Sequence, residues 1–362
     1  MENTAGFLGF AKKFLVLVDK CVSAVHLRNR VAVVLAVCCM ASVPIGVQAA
    51  EERTYILATA TNRGTYYPVG VGLATLVKIK LEPRENISLA AISSAGSGEN
   101  LKLLREDQAQ FAILQGLFGA WAWHGEGGLV GDGPQRHLRS VTMLWHNVEH
   151  FILHRDYVAT GTIEDITNLA GEKFSIGQRN SGTEGSGLRI LEGLGIDAEA
   201  SFEIAHLGYG PSAEALQNST IKGMNAPAGV PVAAVAQAFA ALGDDIAILG
   251  FTQDQMNRVN GGYNLWFPYV IDAETYPGQT DAVTTIAQPN FLAVRDDVDS
   301  DAVYRITEVI YENLSFLNNI HRATRGMDIA KAVEGLPIPL HPGAARFYRD
   351  NDIPIPAHLE PE

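Results

Sequence analysis

Apolar and polar positions along the chain fall into a plan that is repeated three times. A short apolar run gives way to a turn rich in hydroxyls and glycine, and then to a stretch with helical periodicity. The first copy, TYILATATNRGTYYPVGVGLATLVKIKL, predicts a strand near 54–60 and a helix from about Pro68. The second, ISLAAISSAGSGENLKLLRED, predicts a strand near 87–92 and a helix from about Gly98. The third, FSIGQRNSGTEGSGLRIL at 174–191, runs from an apolar Phe174–Ile176 through a glycine-rich turn into an amphipathic helix. Further strands are expected near 111–115, in one or two pieces over 140–154, near 246–249, and within TTIAQPNFLAVRDD. The stretch DAVYRITEVIYENLSFLNNI reads as one long helix, with Val303, Ile306, Val309, Ile310, Leu314 and Leu317 on a single face. The proline-rich tail holds one short helix around Gly343–Tyr348. Strands alternating with helices predict an α/β fold with a mainly parallel sheet, whose ligands sit beyond the carboxyl ends of the strands, where these turns lie.

The first fifty residues break the pattern. The apolar run VAVVLAVCCMASVPIGV at 31–47 follows Arg28 and Arg30 and ends in Val47-Gln48-Ala49-Ala50 before the acidic Glu51-Glu52. A basic start, an apolar middle and a small-residue end are the parts of a secretory signal, so cleavage is expected after Ala49 or Ala50. A membrane anchor fits less well, because Pro44 and Gly46 interrupt a run already shorter than the ~20 residues of a comfortable span. All three cysteines, Cys21, Cys38 and Cys39, fall in this segment, so the remaining chain would be held by its core and not by disulfides. With 47% hydrophobic residues in a chain of 362, such a core is available. Removing residues 1–50 takes away five basic side chains (Lys12, Lys13, Lys20, Arg28, Arg30) and two acidic ones (Glu2, Asp19), moving the net charge from −13 to −16. So acidic a surface argues against nucleic acid or anionic lipid as a partner. The expectation is a soluble protein outside the cytoplasm.

The turn Gly177-Gln-Arg-Asn-Ser-Gly182-Thr183 resembles a phosphate loop but lacks the lysine that follows the second glycine in such loops. Its G-x-x-G-x-G spacing also misses the dinucleotide fingerprint. Two readings remain open: a structural turn with Ser181 or Thr183 as N-cap, or a site for a small carboxylate bound by the amides of 182–184 and the hydroxyls. Asn62–Tyr67 and Ser93–Asn100 offer the same chemistry at two other helix starts, with Tyr66 and Tyr67 able to pack on an aliphatic stem and Arg63 as a possible carboxylate partner. His146, His150 and His154 have helical metal spacing, but EHFILHRD alternates as a strand does, so no metal site is expected there. No G-x-S-x-G elbow occurs and no acid/base pair stands out, so the chain reads as a binder and not an enzyme, with no cofactor.

Seven pieces in order carry a family resemblance: GTYYPVG at 64–70, AGSGEN at 95–100, AILQG at 112–116, LAGEKFSIGQRNSGTEGSGLRILEGLGI at 169–196, AGVPVAAV at 228–235, ETYPGQTDAVTT at 274–285 and PLHPGAARFY at 339–348. Over about 54–350 the chain resembles the TAXI-type solute-binding proteins of TRAP transporters. The resemblance implies a two-lobed periplasmic binding protein of type II, a Venus-flytrap that closes on a glutamate-like amino acid or dicarboxylate. It would deliver this solute to a small and a large TRAP membrane subunit. Residues 51–147 would form the first part of lobe I, 148–270 lobe II, and 271–362 the return to lobe I. The ligand-binding positions carried over are Gly64, Thr65, Tyr66, Ser97, Asn100, Gln115, Ser181, Gly182, Thr183 and Gly229. Two departures stand out: ATATNRG replaces a more glycine-rich first turn, and Asn225 stands where an acid is common. Rival readings are a sensory module reporting to a membrane receptor, or an exported enzyme on the same scaffold.

Overall fold

The computed structural model describes residues 52–262 and 265–361, and the expected signal segment lies outside them. The first repeat of the plan folds as strand β1 (Arg53–Ala58) and helix α1 (Tyr66–Lys80), the second as β2 (Ile87–Ile92) and α2 (Ser97–Arg105). On α1 the buried Tyr66, Val69, Leu73, Leu76 and Val77 recur at helical spacing. β3 (Phe111–Gln115), buried at every position, leads directly into α3 (Gly116–His124). The apolar run over 140–154 forms two strands, β4 (Leu138–Val148) and β5 (Phe151–His154).

From β5 the chain builds a second sheet. Its strands are β5, β6 (Lys173–Ser175), β7 (Glu203–Ala205), β8 (Gly223–Asn225) and β9 (Ile246–Ile248). Helices α4 (Gly182–Gly193), α5 (Tyr209–Gln217) and α6 (Ala233–Leu242) follow β6, β7 and β8, and α7 (Gln253–Asn260) follows β9. The chain then rejoins the first sheet through β10 (Phe267–Ile271) and the long β11 (Val283–Arg295). Since β10 already pairs in the first sheet, the return starts ahead of the boundary at 271 that the sequence suggests. Helices α8 (Ser300–Glu312), α9 (Leu314–Ile320) and α10 (Pro342–Asp350) close the fold.

The strand orders are β10-β11-β3-β1-β2, with β4 also on β11, and β7-β6-β8-β5-β9. The two-lobed α/β class is as expected, but the sheets are mixed and not mainly parallel. β1 pairs in parallel with β2 and β3, and β6 with β7 and β8. The strands that carry the chain between the lobes, β4, β5, β10 and β11, run antiparallel to their neighbours. A strand that brings the chain back needs no crossover helix, so antiparallel pairing is the short route. In each sheet the parallel order turns about β1 or β6, whose two neighbours follow it in the chain; such switch points open a crevice at the carboxyl ends.

The long helix expected over 301–320 is broken at Asn313, whose Nδ2 donates to the carbonyl of Val309 at 2.8 Å and ends α8. The apolar face survives the break: Val303, Ile306, Val309, Ile310 and Leu317 are all buried. Asn100 on α2 is fully buried and ties three elements together. Its Nδ2 donates to the carbonyls of Thr59 at 2.7 Å and Ile113 at 2.9 Å, and its Oδ1 accepts from Ser94 Oγ at 2.6 Å. Replacing it takes a buried donor from the Ile113 carbonyl and leaves that of Thr59 with Ser94 Oγ, at 3.0 Å, as its remaining side-chain donor. Asn100→Ala is expected to lower unfolding free energy by about 2–4 kcal/mol in chemical denaturation, with loss confined to ~0.5 kcal/mol showing that these bonds contribute little.

Candidate functional site

The turns that follow the parallel strands of both lobes enclose one cavity of about 470 Å³, part of it open to solvent. The first lobe contributes residues 60–61 and 64–66 after β1, 95–97 after β2, and Gln115 at the end of β3. The second contributes Gln178 and 181–183 after β6, 208–209 after β7, and Pro227 with Ala228 after β8. Helices α1, α2, α3, α4 and α5 all begin at this wall, with N-caps Thr65, Gly96, Gln115, Ser181 and Gly208. Each helix start leaves amides without an intrahelical partner and carries about half a positive charge. No acid, base or thiol is among the described residues that line the cavity. Its field therefore comes from backbone dipoles, which suits a small anion.

Several hydroxyls at the wall are already engaged. Ser181 Oγ accepts from the amide of Glu184 at 3.1 Å, and the Glu184 carboxylate accepts from the amide of Asn180 at 2.7 Å. Ser181 thus acts as the N-cap of α4, and of the amides at 182–184 the one at 184 is taken. Thr183 Oγ1 bonds Tyr209 Oη at 2.8 Å, and Tyr209 Oη donates to the carbonyl of Pro227 at 2.5 Å. These contacts link the turns after β6, β7 and β8. In the first lobe Ser97 Oγ accepts from the Gln115 amide at 3.1 Å, and Tyr66 Oη donates to Asn290 Oδ1 at 2.5 Å. Burial pushes the phenols of Tyr66 and Tyr209 well above the usual range, so both remain protonated donors.

The lobes touch around this wall. Thr65 Oγ1 accepts from the amide of Gly229 at 3.2 Å and lies 3.3 Å from its carbonyl, and the amide of Glu99 donates to the carbonyl of Asn180 at 3.0 Å. A Cβ on Gly98 would stand 2.5 Å from that same carbonyl oxygen, so only glycine permits the approach. A Cβ on Gly182 would meet the Gln115 side chain at 2.7–2.9 Å. Arg63 does not reach the cavity lining; it extends over the surface to Gln237 at 2.6 Å.

Of the positions suggested by sequence, Gly64, Thr65, Tyr66, Ser97, Gln115, Ser181, Gly182 and Thr183 come together in this wall. Asn100 does not, because its amide is spent on the backbone beneath. Gly229 also stands outside the lining; a Cβ there would be 2.7 Å from Trp145, and its backbone serves Thr65. Residues the sequence reading passed over are Thr61, Gln178, Gly208, Tyr209 and Pro227. The segment His206-Leu-Gly-Tyr-Gly-Pro-Ser212 repeats the strand–turn–helix plan after β7, a signal masked by a strand only three residues long. The three histidines of the 146–154 cluster take separate partners. His146 stacks edge-on to Phe267, His150 bonds the Val148 carbonyl and Tyr276 Oη, and His154 bonds the Leu216 carbonyl.

Two sheet-based lobes with a cleft at their strand ends, walled by helix starts, frame the site. The chain belongs to the NMT1-like family, whose sequence profile matches residues 57–351. Solved structures with a similar fold include the periplasmic aliphatic sulphonate binding protein of Escherichia coli, at 12% identity over 84% of this chain and 95% of that one, TM-score 0.42. A malate-bound protein of Rhodopseudomonas palustris matches at 12% identity over 75% and 88%, TM-score 0.48. An amino acid ABC transporter substrate-binding protein of Streptococcus pneumoniae, bound to L-arginine, matches at 14% over 75% and 94%, TM-score 0.43.

Closure through the contact of Gly98 with Asn180 has a direct test. Gly98→Ala should weaken solute binding ~10-fold or more by excluding the closed form, while the thermal midpoint without solute changes little. Calorimetric affinity equal to wild type would show that the lobes do not need this approach.

Proposed function

We propose that the protein captures a small carboxylate outside the cytoplasm, a glutamate-like amino acid in preference to a plain dicarboxylate. It delivers this solute to the small and large membrane subunits of a TRAP-type transporter, as a TAXI-type binding component. The observation that carries the reading is the convergence of five helix starts on a cavity with no charged side chain in its lining. Dipoles of this kind contribute ~0.3–1 kcal/mol each at exposed sites and more where water is excluded, enough to hold one carboxylate.

Gln115 supplies the other half of the argument. The residue is only 3% exposed, faces the cavity, and its Oε1 has no hydrogen-bond donor. A buried acceptor left unpaired costs about 1–3 kcal/mol, so a solute with an ammonium or hydroxyl donor is favoured there. The TRAP assignment rests on the seven sequence pieces in order and on the secretory pattern of residues 31–50.

A thermal-shift and calorimetric screen against amino acids, dicarboxylates and sugar acids tests the reading, since stabilisation scales with ligand concentration over dissociation constant. L-Glutamate is expected to bind more tightly than succinate, which carries no donor for Gln115 Oε1. Gln115→Leu should reduce that preference about tenfold while leaving succinate binding nearly unchanged. Tight binding of a neutral sugar, with no response to any carboxylate, would overturn the proposal.

A further inference from the structure

Where β4 passes into β5, Glu149 is fully buried, near enough to the cavity-wall phenol of Tyr209 to act on it electrostatically. Its surroundings come from both lobes. Asn225 on β8 and Ser186 on α4 face it from the second lobe, and Trp266 before β10 and Gln288 on β11 face it from the first. Asn225 Nδ2 donates to it at a long 3.4 Å, and the Ser186 hydroxyl, Trp266 indole and Gln288 amide turn further donors toward it that partly offset its burial. Glu149 Oε1, Asn225 Oδ1, Ser186 Oγ, Trp266 Nε1 and Gln288 Nε2 are all buried without a partner. Every one of these neighbouring side chains is neutral, and no lysine, arginine or charged histidine is near enough to figure in its electrostatics. Tyr209 on α5, the titratable group that does feel this carboxyl, is a protonated phenol in the cavity wall. The adjoining His150 is kept neutral by burial, which lowers it to about 4, and turns to Val148 and Tyr276.

We infer that Glu149 is a proton site coupled to the solute site: the protein holds its anion together with a proton on this carboxyl, and loss of the proton drives the anion out. The inference rests on the carboxylate reading of the cavity. An ionised Glu149 would place an unpaired negative charge in low dielectric behind the wall that receives the anion. A protonated one is neutral, and its O–H offers a donor to the Asn225 amide, whose Oδ1 otherwise has none. Burial also raises this carboxyl from 4.5 to about 8, which puts its titration just above neutrality. Because the site lies between the lobes, the proton also bears on how they close.

The test uses the purified protein and its Glu149→Gln variant, with L-glutamate as the probe. Wild-type affinity is expected to fall about tenfold between pH 7 and pH 9, while the variant stays flat over that range and matches the wild type at pH 7. Calorimetry of the wild type in two buffers of different ionisation enthalpy should show proton uptake rising toward one per bound solute above about pH 8. This second measurement stands even where the variant does not fold. Equal pH dependence in both proteins, or no uptake at any pH, overturns the inference. A solute-free arm separates this idea from the carboxylate reading. Glu149 keeps its proton in the folded state to about pH 8 but ionises near 4.5 when unfolded, so it stabilises at low pH and loses that effect as pH rises between the two. The wild-type thermal midpoint, measured relative to Glu149→Gln, should therefore decline across that window. A constant difference overturns the proton site whichever solute binds, whereas absence of heat from any carboxylate counts against the cavity reading alone.

Discussion

The crowding of helix starts at one seam is the constraint on which the rest of this structure depends. Five helices point their positive ends at the same small volume. Such like poles repel, and their unpaired amides demand acceptors. Part of the demand is met from within: Ser181 caps α4, Glu99 Oε2 accepts from the Ala95 amide, and the Asn180 carbonyl reaches across to Glu99 of the other lobe. What remains are helix starts whose other amides face the cavity. The glycines at 98 and 182 follow from the same constraint, because backbone donors serve a solute or the opposite lobe only if no Cβ intervenes.

The lack of a cation at this site has consequences for the interior. An arginine or lysine in the wall would hold an anion more strongly, but its burial between closed lobes with no anion present would be costly. Dipoles carry no such penalty and vanish from no pH range. The interior therefore relies on neutral polar chains: Tyr66 to Asn290 to Asn147, and His150 to Tyr276 to the amide of Val232 at the start of α6. In that setting Glu149 is the exception. A lone carboxyl among neutral groups, set where the chain crosses between lobes, links charge to solute and to closure.

Much of the local structure could be read from residue order. β2 and β3 fall where the apolar runs place them, and α1 and α2 begin within two residues of the expected starts. The turn residues 64–66, 97, 115 and 181–183 were legible as helix starts, and the fold brings those starts to one wall. Other features were not. Asn100 sits in the same kind of motif as Ser97, yet one points its polar atoms at the backbone below and the other contributes to the wall. The three-residue β7 was too short to announce Gly208 and Tyr209. Glu149 looked like one polar residue in an alternating strand, since its burial arises from four segments far apart in the chain.

Sequence by itself determined the strand–turn–helix units and the glycine- and hydroxyl-rich turns at the helix starts. These are local properties, set by periodicity, by glycine and by hydroxyls next to helix starts. Tertiary structure decided which units face one another, that the connecting strands run antiparallel, which hydroxyls are spent on caps, and that Gln115 and Glu149 stand buried with polar atoms unpaired. Those outcomes depend on burial and on distances between residues remote in the chain, and no window of sequence contains them.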